Sequence, residues 1–280
     1  YEEDKIWDED REGMLLRFIA ENDETRDGLN GKWILDAYNW QAIFYIQVLF
    51  TVIVGLWFWK RQPETLSEAN TIPFTRHIFL DGFRELIKYK RTIGLTFISG
   101  FIVGSFLVYL STAQQIFQNQ YDLKDEFPYI FAGLAISVGT ATFLNGTLVL
   151  RFGMEKIITT ALIAFCCVSL LYVALYFETG NPTVEILLVF FALQFFAIGF
   201  LFGNLRALAM QPIGHIAGIG AAITGFISTL MSVPISTYIG TFVSNSALPL
   251  FVGFSICSLL SIIILCYLKI RVKEERYQRA

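Results

Sequence analysis

Seven stretches of this chain stay apolar for about twenty residues at a time, and that run length limits the folds open to it more than any other feature. They are Trp40–Trp59, Ile93–Phe117, Phe127–Leu150, Ile157–Phe177, Ile186–Leu205, Gly214–Val243 and Leu248–Leu268. A bilayer core takes about 20 residues of helix, so each is a candidate span. The expected fold is an all-α polytopic membrane protein with the lipid bilayer as its first partner. A β-barrel is excluded, because the runs lack the in-out alternation that a barrel wall needs. Pro234 lies inside the long sixth span and predicts a kink there.

Charge divides the chain. Residues 1–30 hold eleven Asp and Glu against four Lys and Arg, and with no apolar core they read as a solvated acidic tail rather than a cleavable leader. Basic residues outside the spans gather on one side: seven in 60–92, Arg151 and Lys156, Arg206, and five after Leu268. The alternate short loops hold only Lys124. Because Lys and Arg accumulate in cytoplasmic loops, the C-terminus is expected inside. Within 60–92, Thr75–Lys90 has the pattern of an amphipathic helix with Ile78, Phe79, Phe83, Leu86 and Ile87 on one side, suited to lie along the membrane face. A solvated linker is the alternative.

Ionisable residues inside a span are costly and usually functional. None of the seven spans has an Asp, Glu, Lys or Arg in its interior. His215, at the mouth of the sixth span, reads as an interfacial side chain more readily than as a proton relay. Cys166, Cys167, Cys257 and Cys266 lie within spans and read as small packing residues. No catalytic, cofactor or metal site is expected, nor a nucleic-acid partner. The remaining candidates for a substrate pathway are polar and aromatic: Tyr109, Gln114 and Gln115 (with Ser111 and Gln118 in the same stripe), Asn145 beside Thr142, and Gln194. Interhelical hydrogen bonding would explain the polar ones equally well, at about 0.6 kcal/mol each. Phe143, Phe190, Phe191, Phe195 and Phe196 could add aromatic surface to a pocket.

The most specific pattern is Asn204–Gly225. Asn204 ends one span; an Ala-x-Ala-Met-x-Pro turn with Met210 and Pro212 follows; then a helix opens on two rows of small residues. These rows are Gly214, Gly218, Ala222 and Ala217, Ala221, Gly225. Such rows let helices approach closely in lipid. The block resembles the hinge between the tenth and eleventh helices of the Bcr/CflA drug-resistance transporters, within the drug/proton antiporters of the major facilitator superfamily. Residues 31–44 resemble that family's entry to the sixth helix, and Gln62–Leu66 the start of its central loop. Gly146, Arg151 and Gly153 fall in a degenerate echo of the superfamily's Gly-x-x-x-Asp-Arg-x-Gly-Arg-Lys turn, with Leu150 at the Asp position. A weakened conformational latch and plain positive-inside anchoring are both open there.

About 250 residues carry the resemblance. It implies a sixth-helix equivalent at 33–60, a central cytoplasmic loop at 61–92 and a C-terminal six-helix half at 93–280, while the acidic extramembrane tail at 1–32, read from its charge, matches nothing in the family. It also implies proton-driven export of small drug-like molecules across a bacterial inner membrane. The family's protonatable carboxylates usually lie in the N-terminal half, so protons are expected to couple only with that half present. A truncated, inactive fragment is the alternative. A seven-helix receptor or photoreceptor is a poorer one, because no span holds the Lys that a retinal Schiff base needs.

Overall fold

The computed structural model describes residues 40–61 and 76–279. The acidic tail, residues 31–39 and Gln62–Leu66 lie outside them. The described helices are α1 (Trp40–Arg61), α2 (Arg76–Lys88), α3 (Lys90–Gln114), α4 (Phe127–Phe152), α5 (Met154–Tyr176), α6 (Val184–Met210), α7 (Ala217–Gly240) and α8 (Leu248–Arg279). A π-helical turn, Gln115–Gln120, extends α3, and a 3-10 turn, Gln211–Ile216, joins α6 to α7. No strand occurs among the described residues.

By length and composition, five described stretches could cross a membrane: Lys90–Gln120, Phe127–Phe152, Met154–Tyr176, Val184–Gly240 and Leu248–Ile270. The fourth, at 57 residues, contains α6 and α7. Together with α1, a 22-residue helix outside the five, these make the seven long helices expected.

The chain divides into two units: residues 1–74 with 123–132, and residues 75–122 with 133–280. In the first, α1 is apolar all round, with Tyr45, Phe50 and Trp59 among its exposed side chains. In the second, α3 is central and packs on α6, α7 and α8, while α5 packs on α6 and α8. Without a hydrophobic force between helices in lipid, close van der Waals fit must hold them. Small residues supply it. A β-carbon at Gly100 would lie 3.1 Å from Met231, and one at Gly104 would lie 3.1 Å from Ile235 and 3.3 Å from the Ser232 backbone. The Gly-x-x-x-Gly pair on α3 is therefore the close face toward α7.

The Gly and Ala rows expected to form a close helix face do not do so among the described residues. Gly214, Gly218, Ala217, Ala221 and Ala222 are exposed, and added β-carbons at Gly214, Gly218 and Gly225 would meet nothing within 4 Å. The crowded glycine in this stretch is Gly220, between the rows, where a β-carbon would sit 2.5 Å from Ile213. Gly253 is crowded as well, at 2.6 Å from Ile239. At Pro234 the helix runs on unbroken; the break falls at Ile213, whose φ of −114° and ψ of 24° leave the helical region. A buried aromatic core fills the half of the unit remote from this break. There Tyr172 stacks on Phe251 at 3.7 Å between ring centroids, and Tyr109 meets Phe195 edge-on at 4.5 Å.

Candidate transport surface

The joint between α6 and α7 is built around Ile213. The α6 helix stops where Pro212 lacks an N–H to continue the ladder. Ile213, fully buried, then turns under Gly220 and packs with Leu86 of α2 and Ile223 of α7. Met210 is half-buried against the same cluster. Thr92, near the start of α3, donates to the carbonyl of Ala209 at 2.9 Å, satisfying an orphan acceptor at the end of α6. His215 is half-exposed, its Nε2 3.8 Å from Glu85 on α2. Lys88 bonds the same carboxylate at 2.6 Å, and chiefly for that reason Glu85 is held below the ordinary glutamate range. The amphipathic helix thus docks by Leu86 and Gly82, leaving Phe79, Phe83 and Ile87 exposed.

The polar pathway candidates lie in helix seams. Asn204 of α6 donates to the Asn145 side-chain oxygen on α4 at 2.6 Å and to its own Phe200 carbonyl at 2.8 Å. Next to it, α4 comes so close to α6 that a β-carbon at Gly199 would lie 2.6 Å from the Val138 carbonyl oxygen. Gln194 is fully buried; its amide donates to Ser169 at 2.6 Å and to the Phe165 carbonyl at 3.2 Å, tying α6 to α5, while its oxygen has no partner among the described residues. Tyr109 is buried in the aromatic core with Phe191 and Phe195. Gln114 and Gln115 are half-buried where α3 passes into its π-helical turn. Asn145 and Asn204 are therefore brought together, whereas Gln194 and Tyr109 are enclosed. The aromatic residues divide too: Phe190, Phe191 and Phe195 are core, while Phe143 is 84% exposed.

At the joint end, Gly153 separates α4 from α5 with φ 80° and ψ 152°, a region essentially reserved to glycine. Arg151 lies 5.3 Å over the Phe152 ring. Glu155, one turn on, pairs with Arg91 at the start of α3. Gly146 meets open space. Lys269 of α8 donates to Thr159 of α5 at 2.8 Å.

The opposite end holds a lattice that sequence reasoning missed. Asn181 donates to Gln120 at 3.1 Å and to the Asn245 carbonyl at 3.5 Å. Its side-chain oxygen accepts from Ser246 and from the Ala247 amide, each at 3.0 Å. Tyr121 donates to the Pro182 carbonyl at 2.8 Å, and burial pushes its pKa up to about 12. One asparagine thus ties together the loops after α3, α5 and α7. The only hint was the Gly-Asn-Pro turn at 180–182, a polar turn type with no partner legible in one dimension.

Comparison with known proteins agrees with this architecture. Residues 29–235 match the Major Facilitator Superfamily. Over 248 residues the chain is 23% identical to a bicyclomycin resistance protein homolog of Haemophilus influenzae, covering 88% of this chain and 62% of that protein. Over 212 residues it is 23% identical to the uncharacterized MFS-type transporter YdgK of Bacillus subtilis, covering 74% of this chain and 51% of that one. The chain therefore spans between half and two thirds of the length of these relatives. No solved structure matches it significantly.

Proposed function

The chain belongs to the major facilitator superfamily, and on that premise we propose that it forms the substrate-side half of an exporter of small drug-like molecules driven by protons. The observation that carries this is the way α4 is held. It joins the other helices along a narrow seam through Leu134, Ala141 and the Asn145–Asn204 bond, and turns the rest of its surface outward. Around it, the Asn181 lattice and the buried Ile213 joint hold α3 and α5–α8 as one body. In this superfamily two halves rock about a substrate near the midplane, and a braced body with one open helix suits such a half. Bicyclomycin resistance, named for one relative, suggests drug-like substrates. Asn145 is the pathway candidate beside the open face, whereas Gln194 ties α6 to α5 and Tyr109 packs between α3 and α6.

Protons need a titratable group whose affinity differs between states. Asparagine and glutamine cannot titrate near neutral pH, so that group is assigned to a complementary N-terminal half. The likeness to bacterial transporters supports an inner-membrane location, and the basic loops support a cytoplasmic C-terminus. The test is dye extrusion from energised bacteria, with and without a protonophore. The chain alone should give none, and the chain fused to a family-type N-terminal half should give protonophore-sensitive extrusion. Extrusion by the chain alone would refute the division of labour; a folded, membrane-inserted fusion that moves no dye would refute the export reading.

A further inference from the structure

We propose that the groove between α4, α5 and α6 is a site for one anionic phospholipid, its acyl chain lying in the groove and its phosphate held by Lys156 and Arg151. The groove has a volume of about 480 Å³, and its walls include Leu148, Phe152, Ala164, Val168, Leu193 and Phe196. From Lys156 to Val168 it follows α5 for twelve residues, about 18 Å of helix. This is close to the depth of one leaflet, half of a hydrocarbon core about 30 Å thick.

One end of this apolar channel is cationic. Lys156 lines the groove and makes no ion pair among the described residues. The adjacent acid, Glu155, is engaged by Arg91 and does not neutralise it. Arg151 lies over Phe152, a wall residue, and likewise meets no carboxylate among the described residues. Long apolar walls closed at one end by uncompensated cations match an acyl chain with an anionic headgroup. A cationic amphiphile would be repelled. The basic-loop argument places this end in the cytoplasmic leaflet, where anionic lipids draw Lys and Arg by about 1 kcal/mol each, or roughly fivefold in affinity.

The test uses the whole purified chain in mild detergent, titrated with phosphatidylglycerol or phosphatidylcholine, with bound lipid per chain read by native mass spectrometry. Phosphatidylglycerol should be retained over phosphatidylcholine. Lys156→Gln and Arg151→Gln should each weaken phosphatidylglycerol retention about fivefold and leave phosphatidylcholine unchanged. Ala164→Phe, which fills the groove from an exposed position, should reduce both lipids, and Lys124→Gln neither. Unchanged retention in Ala164→Phe, or unchanged selectivity in the two charge variants, would overturn the proposal. So would a dimer that Ala164→Phe dissociates, since a second copy would then occupy the groove. Lipid retention on the solubilised chain requires neither transport nor orientation, so its failure is separable from failure of the export reading.

Discussion

Two neighbouring helices, α3 and α4, have nearly the same length, 25 and 26 residues, and both are apolar and glycine-containing. Their surroundings differ. Of the apolar stretch in Lys90–Gln120, 56% is buried, against 17% in Phe127–Phe152. On α3, Gly94, Gly100 and Gly104 each meet a side chain of another helix, whereas Gly133, Gly139 and Gly146 on α4 meet nothing within 4 Å. Glycine in a membrane helix therefore marks a close approach only where a partner helix arrives, and the sequence of one helix does not say whether it does. The sharpest way to break the comparison is to add bulk to each. Gly104→Leu should cost about 3 kcal/mol or more, because the Ser232 backbone at 3.3 Å cannot swing aside; Gly139→Leu should cost almost nothing. Thermal stability in detergent, read as the fraction surviving size-exclusion chromatography, checks this. By the same argument Gly253→Leu should be worse than Gly218→Leu, and equal yields would show that these contacts do not set stability.

On α4 the glycine that matters ends the helix. Gly153 is needed for its backbone angles, with no neighbour within 4 Å. Gly153→Ala should then cost about 1–3 kcal/mol, although space is free around it. A neutral result in the same assay would mean that the α4–α5 turn relaxes to another conformation. Smaller still is the bond that fastens α4 to α6. A double-mutant cycle of Asn145→Ala and Asn204→Ala should give a coupling of about 0.6 kcal/mol, with about 1.7 as an upper bound. Zero coupling would leave that seam to its packing at Gly199, Ala141 and Leu134.

The helices were legible because run length is a one-dimensional property. Which faces of them meet was not. The Asn204–Met210–Pro212 block correctly marked a joint, since Pro212 ends a ladder wherever it stands. The Gly and Ala rows after it suggested a packed face, and the packed residue is Gly220, picked out by Ile213 folding back from the non-helical turn. Gly100 and Gly104 were visible as a spaced pair, but only the arrival of Met231 and Ile235 gives that pair its role. Asn145 and Gln194 look alike in sequence, as single amides in apolar runs. One bonds across to α4's neighbour beside an open face and the other is sealed behind Ser169, a difference set by tertiary position alone.

The smallest effect concerns the helix that leads into α3. Leu86 and Gly82 dock α2; within α2 Glu85 bonds Lys88, and across the joint it faces His215 at 3.8 Å. Hydrogen bonding to Lys88 depresses the Glu85 pKa below 4.5, and the nearby His215 adds to the shift. A carboxylate whose folded pKa lies below its unfolded one contributes stability above the unfolded value and loses it as pH falls through the folded one. Lys88, raised by the same bond, keeps its ammonium throughout this range. The last turn of α2 should therefore hold at neutral pH and fray only in acid below the ordinary carboxylate range, under about pH 4. No such carboxylate faces Arg151 among the described residues, so the end of α4 should not respond. A nitroxide on a cysteine at Ile87 should gain mobility on acidification, while one at Leu150 should not, and Glu85→Gln should flatten the first response. Equal mobility changes at the two labels would show that acid loosens the whole unit, and would remove the distinction between a docked α2 and an open α4.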